Sequence, residues 1–187
     1  MWVTEPVYNR ASMSDTTPAL RPGELSELIR ASGEAILREV LAMTEAASAH
    51  HPAPREWCAR QVVGHLIEAE RRGFAGRIRQ ILAADRPALQ GWDPDEVAAS
   101  RNDCARRLPD LAREFQTMRH EGVALVFRLR GDDLTRGGDH PKVGFLTVGD
   151  IVNEWVHHDR AHLIQIAQCT QSFVLPHLGA AQGFLGE

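Results

Sequence analysis

The stretch Asn153-Glu154-Trp155-Val156-His157-His158-Asp159-Arg160-Ala161-His162-Leu163-Ile164-Gln165-Ile166 decides how this chain is read. No Gly or Pro occurs between Asp150 and Ser172, and apolar residues recur at helical spacing, so the segment predicts a helix. His158 and His162 stand four apart, a rotation of about 400°, so both imidazoles leave one face a turn apart. Such a pair can share a metal ion, but two ligands do not make a site. His157 lies about 100° round from His158 and reads as a surface or interface residue.

Working outward, Thr147 is the expected N-cap of this fourth helix, with Asp150 completing a capping box. Residues 176–187 predict a short terminal helix or cap. Upstream, residues 131–144 carry Asp132-Asp133, Gly137-Gly138-Asp139 and Pro141, and read as a long loop. A third helix is expected over residues 93–129, its start marked by Asp93-Pro94-Asp95-Glu96, with a break or kink at Pro109. A second is expected over 56–84, with Val62, Val63, Leu66, Ile67, Phe74, Ile78, Ile81 and Leu82 as its apolar positions. A first, over 22–49, has a stripe of Leu25, Leu28, Ile29, Ile36, Leu37, Val40 and Leu41 interrupted only by Gly33. His50-His51 sit in the Pro-bounded connection after it and read as solvated. Residues 1–22, with Tyr8 as the only tyrosine and Met13 as a second candidate start, read as a flexible extension.

Four amphipathic helices without a convincing strand predict an all-α four-helix bundle, one domain over residues 23–187. A length of 187 residues suits one full core, and a formal charge of −4 argues against a nucleic-acid partner. No apolar run reaches the roughly 18 residues of a membrane span, and no secretory signal opens the chain. Cys58, Cys104 and Cys169 are odd in number and widely spaced, so a disulfide is not expected and the default setting is cytoplasmic.

His65 lies inside Val62-Val63-Gly64-His65-Leu66-Ile67-Glu68. A single histidine on such a face reads first as a core residue. Gln61, Glu68 and Arg72 share its stripe, however, and a polar stripe facing inward needs a reason. If His65 faces His158 and His162, three neutral nitrogen donors surround one divalent ion, for which Zn, Ni, Fe and Cu are all suited. Three protein ligands leave a position open, the pattern of a catalytic site. Cys58 and Cys169 share the right faces but lie roughly 10 Å away along their helices, and read as small apolar core residues.

Trp57, Gln61-Val62-Val63-Gly64-His65-Leu66, Phe115 with Arg119, Asp133-Leu134-Thr135-Arg136-Gly137, His140, Gly144, Thr147-Val148 and His158-Asp159-Arg160-Ala161-His162-Leu163-Ile164-Gln165-Ile166 follow one another in a familiar order. Across about residues 24–170 the chain resembles the DinB-like superfamily, also called the YfiT-like metal-dependent hydrolases. The resemblance implies a four-helix bundle of unusual connection order and a metal triad of His65, His158 and His162. It also implies metal-dependent transfer of a low-molecular-weight thiol to a small electrophile, or a related hydrolysis.

Beside that triad, Glu68 is a candidate to orient a metal-bound water or ligand, with an ion pair to Arg71 or Arg72 as the alternative. Asp159 is expected to anchor its helix through an arginine such as Arg119, which could otherwise bind a substrate carboxylate. No serine occupies a GxSxG elbow, and no distant aspartate follows Asp159 to complete an HD-type site. The competing reading is a non-catalytic metal- or ligand-binding homodimer, with Trp92, Trp155 and Phe184 lining the joint surface.

Overall fold

Leu25, Ile29, Ile36 and Val40, spaced for one helical face, are all buried in α1, Pro22–Ala42. The computed structural model describes residues 18–186, so Tyr8, Met13 and residues 1–17 of the expected extension lie outside it. Helix α1 stops short of the expected residue 49, because Met43 and Thr44 are extended. Thr44 Oγ1 accepts the Ala47 N–H at 3.1 Å and starts a separate short helix, α2, Glu45–Ala49.

The second expected helix is also divided. Helix α3, Ala59–Glu68, runs into a π turn at Ala69–Gly73, and α4 resumes over Ala75–Ala83. The turn is closed by the Phe74 N–H donating to the Ala69 carbonyl five residues back, 2.8 Å. The third expected helix is two. Asp93 Oδ1 caps α5, Pro94–Arg101, which ends at Asn102 in the left-handed region, φ 51°. A 3₁₀ turn, Asp103–Ala105, leads to α6, Leu108–Phe127. Pro109 therefore makes no kink: it lies in the first turn of α6, where a missing N–H breaks no helical bond.

The segment read as a loop contains an antiparallel hairpin, β1, Gly137–His140, against β2, Gly144–Thr147. Strand β2 runs directly into α7, Val148–Val174, whose start carries the expected capping box: Thr147 Oγ1 accepts from the Asp150 N–H and Asp150 Oδ2 from the Thr147 N–H, both 3.0 Å. A 3₁₀ segment, Gly179–Gly186, follows α7, and its residues 179–185 are exposed.

Helices α1, α3 with α4, α6 and α7 build the four-helix bundle, α1 and α3 each packing against both α6 and α7. One core cluster holds Ile29, Phe74, Ile78, Ile151 and Trp155, and another Ile36, Val62, Leu66, Phe115 and Ile166. Arg119 bridges them, its guanidinium 4.9 Å from the Phe115 ring and 5.6 Å from Trp155. A Cβ on Gly33 would stand 2.8 Å from Arg119 Cγ, so the gap in the α1 stripe is where Arg119 crosses that helix.

Trp155 is fully buried, which removes it from the expected dimer surface, whereas Phe184 is exposed. The Trp155 ring stacks on Phe74 with centroids 5.1 Å apart, packing α7 against the segment that leads into α4. A second correction concerns the cysteines. Cys58, the N-cap of α3, and Cys104, in the 3₁₀ turn, are joined as a disulfide with Cα atoms 6.8 Å apart. Their separation of 46 residues gives no sign of that proximity in the sequence. Cys169 stays free and buried, as expected, and burial pushes its thiol up to about 11. Among the described residues no helix is long and apolar enough to cross a membrane.

Candidate metal centre

Helix α3 carries His65 and α7 carries His158 and His162, and the bundle turns the three imidazoles toward one point. His65 Nε2 lies 3.0 Å from His158 Nε2, and His162 Nε2 lies 3.2 Å from His158 Nε2. One donor atom from each of the three falls within 4.8 Å of the others. Nitrogens about 2.0–2.1 Å from a tetrahedral ion stand about 3.3 Å apart, so the observed spacing suits a single small cation.

The protonation states favour the same occupant. His162 Nδ1 is 2.8 Å from Gln165 Oε1; the amide oxygen accepts, so Nδ1 carries the proton and Nε2 keeps its lone pair. Burial, and then the neighbouring His162, holds His65 down to about 3. Burial followed by His162 and His65 lowers His158 well below its ordinary value, and burial lowers His162 against the opposing bond from Gln165. Three uncharged donors are thus held together where three protonated rings would repel. His65 Nδ1 and His158 Nδ1 are buried without a hydrogen-bond partner among the described residues, so Gln165 gives His162 an orientation the other two rings take from packing.

That packing is aromatic. The Trp57 ring lies 5.1 Å and the Trp92 ring 5.8 Å from His65, while Phe74 meets His158 edge-on at 5.1 Å. His65 is buried and His158 and His162 are half-buried, so the three rings sit together against this apolar wall.

Asp159 points away from its neighbour His158 into a buried network. Arg119 donates through Nη2 to Asp159 Oδ1 (3.0 Å), through Nη1 to Asp159 Oδ2 and to the Ile29 carbonyl (2.7 Å), and through Nε to Glu70 Oε1 (2.8 Å). Ser32 Oγ donates to Asp159 Oδ2 at 2.6 Å. The expected Asp159–Arg119 anchor is therefore present, tying α7 to α1 and α6. Burial alone would lower Arg119, but Asp159 and Glu70 hold it above its ordinary value. Burial raises Glu70 to about 7, Arg119 opposing and Asp159 adding to the rise.

Glu70 and Ser32 had no signal in the sequence. On a regular helix Glu70 falls about 140° from His65, off the polar stripe. Glu68 is nearly inaccessible, and its oxygens take Arg71, Arg72 at 2.6 Å and Arg101 at 2.7 Å, which is the ion-pair alternative. His157 is exposed, as expected. His140 Nε2 lies 3.0 Å from Arg77 Nη2. Of the His50-His51 doublet only His51 is exposed; His50 is half-buried, its Nε2 3.0 Å from Ser172 Oγ.

Residues 28–166 match the sequence pattern of the DinB superfamily. Over 131 residues the chain is 27% identical to YuaE of Bacillus subtilis, an uncharacterized protein, covering 63% of this chain and 79% of that one. The fold is similar to that of YfiT from Bacillus subtilis, described as a probable metal-dependent hydrolase with an unusual four-helix bundle topology. That likeness has a TM-score of 0.76 and 17% identity, over 86% of this chain and 92% of the other. A conserved protein from Enterococcus faecalis is similar with a TM-score of 0.59 and 15% identity, over 79% and 94%.

Proposed function

The chain belongs to the DinB superfamily, and from that premise we propose that it is a metal-dependent enzyme in which His65, His158 and His162 hold one divalent ion. The convergence of three Nε2 atoms, 3.0 and 3.2 Å apart along the chain of contacts, carries this reading. Held by three neutral donors, such an ion would acidify a bound water or thiol to the point of nucleophilicity near neutral pH. The protein's own part is arrangement. Gln165 fixes the tautomer of His162, and the Arg119–Asp159 pair fixes the rotation of α7 that presents His158. Trp57, Trp92 and Phe74 exclude water and offer an apolar body of substrate a surface beside the open position.

These features support transfer of a low-molecular-weight thiol to a small electrophile, with hydrolysis of a related substrate as the sister chemistry. Zn, Ni and Fe all suit the donor set. The family's thiol chemistry and YfiT's description as a probable hydrolase both point to the same kind of centre.

Elemental analysis of the purified protein tests the site, and thiol consumption tests the reaction. The expected results are close to one transition-metal ion per chain, its loss in His158→Ala and His162→Ala, and metal-dependent disappearance of free thiol with at least one electrophile of a panel. Full metal content in both variants would remove the site. Metal bound by all three histidines with no thiol consumed would remove the transferase reading alone.

A further inference from the structure

The N-terminal end of α3 carries a second donor cluster, apart from the triad and unused by it. One atom each of His51, Cys58 and Cys104 lies within 4.8 Å of the others. His51 Nδ1 is 2.7 Å from the Glu56 carbonyl, which can only accept, so Nδ1 donates there and Nε2 is the nitrogen left to offer a lone pair. That lone pair faces Cys104 Sγ at 3.6 Å. A disulfide sulfur has no hydrogen to give it. A ring oriented by a backbone carbonyl, with Nε2 free beside two sulfurs, is instead the arrangement of a metal ligand.

An independent observation shows that the cluster is held together by more than the S–S bond. Arg60, in the first turn of α3, is only 7% exposed. It donates to Ser48 Oγ (2.9 Å) and the Glu45 carbonyl (2.8 Å) of α2, which leads into His51. It also donates to the Cys104 and Arg106 carbonyls, both 3.0 Å. Asp103, 1% exposed, accepts from Arg101 and from Arg106 on either side of Cys104. The three ligand-bearing segments are therefore framed by a buried guanidinium and a buried carboxylate that do not depend on the sulfurs being bonded.

We propose that on reduction of the disulfide His51, Cys58 and Cys104 form a second metal site taking one thiophilic divalent ion of the zinc class. Two equivalents of a thiol reductant supply two electrons and two protons: the Cys58–Cys104 bond breaks, two cysteine thiols form, and the reductant leaves as its own disulfide. The ion then displaces one proton from each thiol to solvent and adds the His51 lone pair. Two sulfurs about 2.3 Å from a tetrahedral ion stand roughly 3.7 Å apart, against about 2.0 Å in a disulfide. Oxidation and occupancy thus exclude each other. Three protein ligands with His51 exposed leave the fourth position to solvent.

The test uses the full-length protein, before and after reduction by a phosphine, which is converted to its oxide by water and leaves no competing thiol. Cobalt(II) serves as the spectroscopic probe and zinc as the displacing ion. Reduced protein is expected to take one more equivalent of cobalt than oxidised protein, with thiolate-to-cobalt charge-transfer absorption that zinc abolishes. The band should be lost in Cys104→Ser, weakened in His51→Ala, and kept in His158→Ala. His51 is exposed, so that variant keeps the fold; alkylation of the unaltered reduced protein, blocked at Cys58 and Cys104 by zinc and restored by a chelator, gives the same answer without any substitution. No extra equivalent on reduction, or a band that persists in Cys104→Ser and so belongs to Cys169, would overturn the proposal.

Discussion

Replacing Arg119 with Met keeps most of the side chain's length but strands two carboxylates, Asp159 at 0% and Glu70 at 1% exposure. Removing one partner of a buried ion pair costs about 3–5 kcal/mol, since the remaining charge has no water to return to. Here the loss is bounded on both sides. Glu70, already raised to about 7, takes up a proton once Arg119 is gone, and Asp159 keeps the Ser32 hydroxyl at 2.6 Å. The cost should accordingly stay within about 3–5 kcal/mol and not double for the second carboxylate. At about 2–4 °C per kcal/mol for a chain of this size, Tm should fall by roughly 6–20 °C. Urea unfolding at neutral pH, followed by far-ultraviolet circular dichroism, measures it. Adding Glu70→Gln and Asp159→Asn to Arg119→Met should restore most of the loss, because the cost lies in unpaired charge. A loss below about 1 kcal/mol in the single variant, or a triple variant less stable than the single one, would refute this account.

Metal-free protein should lose stability as pH falls below 6.5, the ordinary value from which burial and His162 hold His65 down to about 3. The folded state binds fewer protons there, so His65's contribution is complete above 6.5 and drains away toward 3, about 2 kcal/mol of it by pH 5. Burial depresses His158 and His162 in the same direction, whereas Glu70, raised to about 7, works the opposite way, contributing below 4.5 and losing its share as pH rises through 7. His65→Leu should therefore flatten the acid side of the stability curve in urea titrations, and an unchanged slope between pH 7 and 5 would contradict the assignment. Gly122→Ala would place a Cβ 2.5 Å from Cη2 of the buried Trp155. Overpacking of about 1–3 kcal/mol should outweigh the roughly 1 kcal/mol that Ala gains in helix propensity. A variant at least as stable as the parent would show that the ring can yield.

The stripes of α1, α3 and α7 were plain in the sequence because burial repeats with the helix, whereas their interruptions were not. A π turn adds one residue without disturbing the apolar count, and Asn102 at φ 51° is an ordinary residue until its dihedral is known. Pro109 shows the same ambiguity, since a helix start and a kink use the same residue. Strands of four residues, two of β1's being Gly, fall below any alternation signal. The site was legible through His65, yet the polar neighbours that singled it out have other work: Gln61 Oε1 accepts the Cys58 N–H at 3.1 Å, and Glu68 and Arg72 pair with each other. His65 Nε2 lies 3.0 Å from His158 Nε2 although the other members of its stripe serve helix capping and ion pairing.

The donor set is divided unevenly along the chain. His158 and His162 are neighbours on one helix, while His65 lies 93 residues from His158. The local pair can capture an ion even in an unfolded chain, and whatever affinity it supplies there does nothing to favour the fold. Only His65 demands that distant segments meet. An ion bound through it closes a loop of that length and acts as a reversible cross-link, of the same order as the roughly 4.7 kcal/mol assigned to a disulfide closing about 100 residues. In the proposed site His65 would thus be the ligand through which ion binding becomes folding free energy, whereas the local pair would contribute affinity alone.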